Sequence, residues 1–392
     1  MAATAFPYAL ADPLAAFGTG GLASGASILD PAALGAIVPE WCALAGRSVE
    51  ANPFFEPDFL MPALRHLAPR GRVRVVAIRS SSGHLIALAP FVDGRIGRIA
   101  PARSLWTHDY GPLGVPLLDR DVPQAAAAGL LAALSPTGGA VALPFTTLDG
   151  PAARALRAAA QTLGRAATEV AVHRRAATDR PVGQSGDLRQ ALPTRRRKEF
   201  ARQMRRLAEL GEVSIATVTD PISVEHAFEE FLRLEQAGWK GQSGTALAAS
   251  PAISAFARDV MGGGSGTLGR RISSIRLDGR PVAMVASFVP GSAAFTWKIA
   301  HDPEFDRFSP GAQLMLEVAA MLFAESGIRG IDSLAAPDHP MIDHLWADRL
   351  RIGTLVIGPA RSSPLHRLGL AAMAGESTLR KRVRAFLRRL DR

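Results

Sequence analysis

The chain has 392 residues, 48% of them hydrophobic, a net charge of +10 and one cysteine, Cys42. That length allows two cores of ordinary size, the composition excludes a disordered chain, and a lone cysteine excludes an intrachain disulfide or a cysteine-based metal cluster. No stretch reaches the roughly 18 apolar residues of a membrane span. The N-terminus MAATAFPYALADPLAAFGTGG lacks the basic start and apolar core of a secretory signal, so a soluble, cytoplasmic protein is expected.

Residues 1–28 are rich in Ala, Gly and Ser and are expected to be loosely ordered. A helical pattern runs from Leu29 to Leu67, broken by NPFFEPDFL at 52–60, where Pro53 and Pro57 bracket an aromatic turn ahead of a helix. Strands are predicted over Val73–Arg79, Leu85–Val92, Ala140–Pro144 and Val170–His173, and helices over Gln124–Leu134 and Pro151–Leu163. This alternation reads as an α/β unit over 29–192.

A polar crossover then leads to a charged helix from Arg195 to Leu210, with Phe200, Met204 and Leu207 forming one apolar stripe. A strand follows at Val213–Val218, with helices at Ile222–Gly238 and Ile253–Met261. Next comes a hairpin of Arg270–Leu277 and Val282–Val289 about the turn pair Asp278-Gly279. The chain continues with a strand at Ser292–Ala300, a helix at Ala312–Ala324, a strand at Ile331–Leu334 and a helix at Met341–Leu350. The first half shows the same order more coarsely, which predicts two related α/β domains side by side, 29–192 and 193–360, and a tail at 361–392.

Charge is concentrated in two places. Arg195–Arg206 holds seven Lys/Arg against one acid, and residues 361–392 hold nine against two, while the rest is near neutral. In Leu379–Leu390 the apolar residues Leu379, Val383, Phe386, Leu387 and Leu390 share one face of a basic amphipathic helix. Two such surfaces point to an anionic partner: RNA, an anionic membrane or an acidic protein.

The candidate chemistry gathers in Phe295–Pro340, a strand, a polar turn, a helix opened by Ser309-Pro310-Gly311, and a short strand ending in Asp332. A helix N-terminus presents unpaired N–H groups, a seat for phosphate. Lys298 is placed to anchor a phosphate or carboxylate, and Asp332 at a strand end is a candidate general base. His339 is a candidate proton acceptor and Glu235, at a helix end, a second base. Trp239, Lys240, Trp297, His301, Asp302, Trp346, Phe54 and Phe55 are candidate pocket walls. The run Trp106–Gly111 mixes aromatic and polar residues and fits either a groove wall or core. No HxH or HExxH spacing occurs, so no metal site is expected.

EQAGWKGQSGTAL at 235–247, FTWKIAHDPEFDRFSPGAQLMLE at 295–317 and IDSLAAPDHPMIDHLWADR at 331–349, together with NPFFEPDFL, resemble the CelD-like family of GNAT-type acetyltransferases. That family is described as acting in cellulose or exopolysaccharide biosynthesis and is related to the FemAB group. The resemblance implies a double GNAT-like fold and transfer of an acyl group from acyl-CoA to an amine or hydroxyl. It implies that Arg307, Ser309, Gly311, Ala312 and Gln313 hold the pyrophosphate, although Arg307 stands one residue farther from Gly311 than the GNAT pattern has it. It also raises Glu235 through the Glu…Gly-Trp-Lys-Gly element. Two other readings stand beside it. One is a FemAB-like aminoacyltransferase using aminoacyl-tRNA, with Arg195–Arg206 and Leu379–Leu390 on the RNA. The other is a non-catalytic scaffold lying peripherally on an anionic membrane.

Overall fold

A computed structural model describes residues 23–135, 137–179, 188–264, 266–361 and 363–390; the side chains of Ala23, Ser24, Trp239 and of 380–390 lie outside the described set. The first half comprises β1 (Ala23–Leu29), α1 (Val38–Gly46), α2 (Pro57–His66), β2 (Arg74–Ser80), β3 (Leu85–Ile96), β4 (Ala100–Leu105), β5 (Leu117–Leu118), α3 (Pro123–Leu134), β6 (Ala140–Thr147), α4 (Pro151–Thr162) and β7 (Ala167–Asp179). The second comprises α5 (Thr194–Ala208), β8 (Val213–Val218), α6 (Pro221–Ala237), α7 (Trp239–Gln242), α8 (Pro251–Gly262), β9 (Arg270–Leu277), β10 (Arg280–Phe288), β11 (Ala293–His301), α9 (Pro310–Ala324), β12 (Gly330–Asp332), β13 (Asp348–Ile357) and α10 (Pro364–Leu390). None of the helices is long and apolar enough to cross a membrane among the described residues.

Local chemistry explains the clearest boundaries. Asp220 caps α6 by accepting from the Ser223 amide at 2.9 Å, with Pro221 in the first turn. The β9–β10 turn puts both Asp278 (φ 49°) and Gly279 (φ 77°) in the left-handed region, as a two-residue hairpin turn requires. Asn52 pins the aromatic turn before α2: its Oδ1 accepts from Phe54 N, while its Nδ2 donates to the carbonyls of Leu113 and Val115.

The strands form one sheet in the order β1-β2-β3-β4-β6-β13-β7-β12-β11-β10-β9-β8, with β5 paired to β3. The boundary expected at 192/193 therefore runs through a continuous sheet. Strand β13 from the second half lies antiparallel between β6 and β7, and β7 carries the sheet onward to β12. The main core crosses the same line, joining Trp41, Phe54 and Phe59 to Phe228, Phe256 and Phe288. A second core beneath α9 includes Phe200, Leu207, Phe323 and Trp346.

Two expectations need correction, and a third lies largely outside the described side chains. Residues 23–28 belong to an edge strand, because β2 supplies the hydrogen bonds that an Ala/Gly/Ser segment does not specify by itself. The helix expected at Met341–Leu350 is only a 3-10 turn at Ile342–His344, and the chain is extended from Asp348. The signal was obscured because Ile352–Ile357 is buried on both faces, so it reads as an apolar run without alternation. In the tail, α10 is a helix that begins at Pro364, but the apolar face expected over 379–390 lies almost wholly outside the described side chains.

Where α2 meets the Gly-rich turn after α8, Glu56 and Asp58 are buried beside Arg270, with Arg270 Nη2 3.1 Å from Asp58 Oδ2. Burial pushes the Glu56 carboxyl up to about 7, against a hydrogen bond from Thr267, with the Asp58 carboxylate adding to the rise. The folded value lies above the unfolded one, so this contribution to stability is present below about pH 4.5 and is lost as pH rises through 7. Glu56→Gln is expected to raise stability at pH 8 by roughly 2–3 kcal/mol and to flatten the fall in Tm between pH 5 and 8. Glu50, also raised to about 7 by burial, leaves a residual slope. Thermal melts across that pH range check both.

Candidate active site

The site begins where the sheet comes apart. Strands β11 and β12 run parallel and pair only over Ala293–Phe295 with Gly330–Asp332. Beyond that point β11 continues to His301 while the other chain turns away, opening a V. A bulge at Trp297 shifts the register between Ala286–Lys298 and Ser287–Thr296. Bulges re-aim side chains, and this one sits at the opening.

The first half closes the V with the loop after Trp106. Trp297 Nε1 donates to the Tyr110 carbonyl at 2.8 Å on one side, and Arg175 Nη2 donates to the Pro112 carbonyl at 2.9 Å on the other. Half-buried Lys298 lies with its ammonium 4.8 Å from the Tyr110 ring centroid. Among the described residues it makes no hydrogen bond. Burial, reinforced by the nearby Lys240 ammonium, pushes the Lys298 amine down to about 8, against the opposing carboxylates of Glu235 and Asp109. Burial also raises the Tyr110 phenol, with Asp109 and Glu235 contributing. A desolvated amine poised near neutral pH at a strand opening is suited to proton transfer.

The other three proposed catalytic residues are held in place by the structure. Glu235 is 2% exposed; Lys240 Nζ donates to its Oε1 at 2.9 Å, and Leu247 N donates to its Oε2 at 2.8 Å. Asp332 is buried, pairs with Arg175 Nη1 at 3.1 Å and accepts from Leu334 N at 2.8 Å. Both carboxylates are thus engaged; removing Asp332 would strand the buried Arg175 guanidinium at a cost of about 3–5 kcal/mol, whereas removing Glu235 would leave the half-buried Lys240 ammonium with the Ile299 carbonyl. His339 Nδ1 accepts from Met341 N at 3.3 Å and lies farther from Ile342 N, so it caps the following turn. Burial lowers its basicity, although Asp343 opposes this. Of the four, Lys298 is the one that makes no hydrogen bond among the described residues.

The expected pyrophosphate loop fits poorly. A Cβ at Gly311 would lie 3.4 Å from Ile299 Cδ1, 3.6 Å from His301 Nδ1 and 3.7 Å from Met341 Sδ, so the opening turn of α9 is covered. Gln313 Nε2 donates to the Phe308 carbonyl at 2.9 Å, and the Arg307 guanidinium lies 4.7 Å from the Phe308 ring centroid. Ser309 takes a left-handed conformation (φ 51°) that turns the chain into α9, and Ala312 is buried. The approach carries Asp302, Glu304 and Asp306, which an incoming pyrophosphate would meet as like charges. Lys240 Nζ also donates to the Ile299 carbonyl at 2.7 Å, occupying the open edge of β11 where the amides of a pantetheine arm would pair.

The proposed pocket walls are mostly scaffold. Phe54 and Phe55 are each 2% exposed and belong to the core, because Asn52 folds their turn inward. Trp297 is buried among Phe59, Phe256 and Phe288, and Trp346 is buried beneath α9 with its Nε1 unpartnered. Asp302 is buried, caps the turn at Pro303–Phe308 by accepting from Glu304 N at 3.0 Å, and pairs with Arg280. His301 Nε2 meets Asp306 Oδ1 at 2.7 Å. Lys240 does face the V; the Trp239 side chain lies outside the described set. The residues missing from the predicted site are Tyr110, Asp109 and Arg175. The mixed aromatic and polar run at 106–111 was the available signal, but nothing in it announced that it would cross to another half's sheet. His108 packs among Phe59, Trp106 and Phe256, where burial, with the Lys298 ammonium adding, pushes it down to about 4. No His/Cys/Asp/Glu cluster able to hold a metal occurs among the described residues.

No curated protein matches the chain in sequence. The profile described as "Acetyltransferase (GNAT) domain" matches residues 194–339. The fold is similar to the C-terminal domain of a protein assigned as a lysylphosphatidylglycerol synthetase from Agrobacterium fabrum, at 12% identity and a TM-score of 0.53, covering 88% of this chain and 96% of that one. It is equally similar to FemX, at 11% identity and 0.53, covering 81% and 95%. A conserved protein of unknown function from Bacteroides thetaiotaomicron is 11% identical with a TM-score of 0.50, covering 82% and 97%. Residues 194–339 thus match a GNAT-type acetyltransferase domain, the chain shares its α/β fold with these solved structures, and the domain match makes it an acyltransferase by class.

Proposed function

We propose that this acyltransferase takes its acyl group from an aminoacyl ester on tRNA and passes it to an amine. The carrying observation is the bond from Lys240 Nζ to the Ile299 carbonyl, which occupies the edge a pantetheine arm would use. Supporting it, α5 presents Arg195, Lys198, Arg202 and Arg205 along one exposed stripe, a surface suited to a polyanion. Gln203 Nε2 ties that helix to the Arg307 carbonyl at the mouth of the V, at 3.1 Å.

In this reading the acceptor nitrogen attacks the ester carbonyl, forming the C–N bond. Neutral Lys298 takes a proton from that nitrogen and returns it to the ribose oxygen as the C–O bond breaks. Burial, with the Lys240 ammonium beside it, holds the Lys298 amine near 8, against the carboxylates of Glu235 and Asp109. The acceptor is proposed to belong to exopolysaccharide or cell-envelope metabolism, as the motif resemblance implies.

A second reading, acyl-CoA as donor, is favoured by the GNAT domain match over 194–339, a class that generally uses acyl-CoA-type donors. The two separate in one experiment: product formation from charged tRNA or acetyl-CoA with a common amine acceptor, alongside calorimetry with CoA. We expect turnover with charged tRNA and no CoA binding at millimolar ligand. Turnover with acetyl-CoA alone would sink the tRNA reading.

A further inference from the structure

A groove of about 710 Å³ opens beside the reactive cluster, within the range of small-molecule sites. Its floor is the face of β7 that carries Ala171, His173 and Arg175, together with Phe145 of β6 and Thr354 of β13. One wall is the loop at 107–112, a second is the segment Leu334–Pro337, and α10 supplies a third. Asp109 lines this groove and also acts on Lys298 and Tyr110, so the groove communicates with the proposed chemistry.

Its backbone is unusual. Phe145 (φ 50°), Ala171 (φ 55°) and Leu334 (φ 54°) are three of the seven described non-glycine residues with positive φ, and all three line the groove. Two arise where β13 meets irregularities on both flanks, at Gly353/Leu355 against β6 and at Ile352/Thr354 against β7. Each such conformation costs of order 1 kcal/mol or more and persists only when its surroundings impose it. One result is that Phe145, a large aromatic, stands 39% exposed on the floor of a groove that mixes apolar and polar residues. A second observation is independent: Arg175 is 2% exposed, lines the groove and keeps a buried Nε–H with no partner.

The lining selects among ligand classes. A peptide binding by strand addition needs an open edge, but the floor strands β6, β13 and β7 are paired on both sides. A lipid chain needs a continuous apolar wall, which Thr107, Asp109, His173 and Thr354 interrupt. RNA would meet the carboxylates of Asp109 and Glu376. A sugar ring offers an apolar face for Phe145 and hydroxyls for the polar lining, and an amine on it would be drawn to Asp109, next to Lys298.

We propose that this groove is the acceptor site and that its substrate class is an amino sugar presented with its amine toward Asp109. The assignment rests on the transfer reaction proposed above and deepens it. Glycine adopts positive φ without strain, so Phe145→Gly removes the ring while relieving the backbone, which separates recognition from folding.

The probe is a β-1,4-linked glucosamine disaccharide, titrated by calorimetry without any donor, with its N-acetylated form as control. We expect millimolar or tighter binding, about ten-fold stronger than for the N-acetylated form. Phe145→Gly should weaken it about ten-fold while Tm stays level or rises. No binding by the unaltered protein, or equal binding by Phe145→Gly, overturns the assignment. Lys298→Met is expected to bind the disaccharide normally; loss of binding in this variant would also count against a separate groove site. If the protein binds the disaccharide yet moves an acyl group from no donor, the reaction proposal fails and the groove assignment stands.

Discussion

Lys298→Met is expected to abolish acyl transfer, lowering kcat/KM by about 100- to 10,000-fold, the usual range for loss of a positioned acid–base group. The fold should survive. The amine is half-buried, makes no hydrogen bond among the described residues and is pushed down to about 8 by burial and Lys240, so an apolar side chain of similar length relieves a desolvation cost. The sign of the linkage gives an independent check. The folded amine titrates near 8 and the unfolded one near 10.5, so the unfolded state holds the extra proton between them and wild-type stability rises with pH across that window. Lys298→Met removes that contribution. For activity, the base form is required, so kcat/KM should climb to a plateau above about pH 8. Lys298→Arg retains the charge without the titration and should be as inactive as Lys298→Met. An activity that instead declines above pH 8 would mean the cation is the working form, and full activity in Lys298→Met would remove the residue from the mechanism.

The second large effect concerns the donor. Arg195, Lys198, Arg202 and Arg205 recur at helical spacing along α5 and are exposed; Arg202 is paired with Glu199 at 2.7 Å. Replacing Arg195, Lys198 and Arg205 with Ala removes up to three phosphate contacts. Each contact contributes roughly 0.7–0.9 to the slope of log affinity against log salt, so the slope for charged tRNA should fall by about 2 to 3. Affinity at physiological salt should fall about ten- to a thousand-fold, appearing in KM while kcat with saturating donor changes little. Filter binding of tRNA between low and physiological salt measures this directly. An unchanged slope would show that the stripe does not touch the carrier.

Much of the fold was legible because local chemistry specified it. The 3.6-residue stripe Phe200, Met204, Leu207 marked α5, and Asp278-Gly279 marked the β9–β10 hairpin, since side-chain period and turn geometry are properties of a few neighbouring residues. Strand β13 was not legible in the same way. Its pattern is that of a segment buried on both faces, and its partners β6 and β7 lie far upstream in the chain.

The proposed site divides along the same line. Sequence placed Lys298, Glu235, Asp332 and His339 near one another by motif, but it could not say which were already engaged. That depended on Arg175, Lys240 and the backbone amides of Leu247 and Leu334, whose positions follow from packing.

By itself, then, the sequence determined the alternating α/β elements, the two basic segments and a cluster of polar residues around Phe295–Pro340. Only the tertiary structure decided that Asp332 and Glu235 are locked in buried ion pairs, that Lys240 covers the edge of β11, and that a loop from the first half brings Tyr110 and Asp109 to Lys298. The physical reason is that helix period and turn type are set by near neighbours. Burial, hydrogen-bond occupancy and pKa are set by whatever the sheet brings alongside.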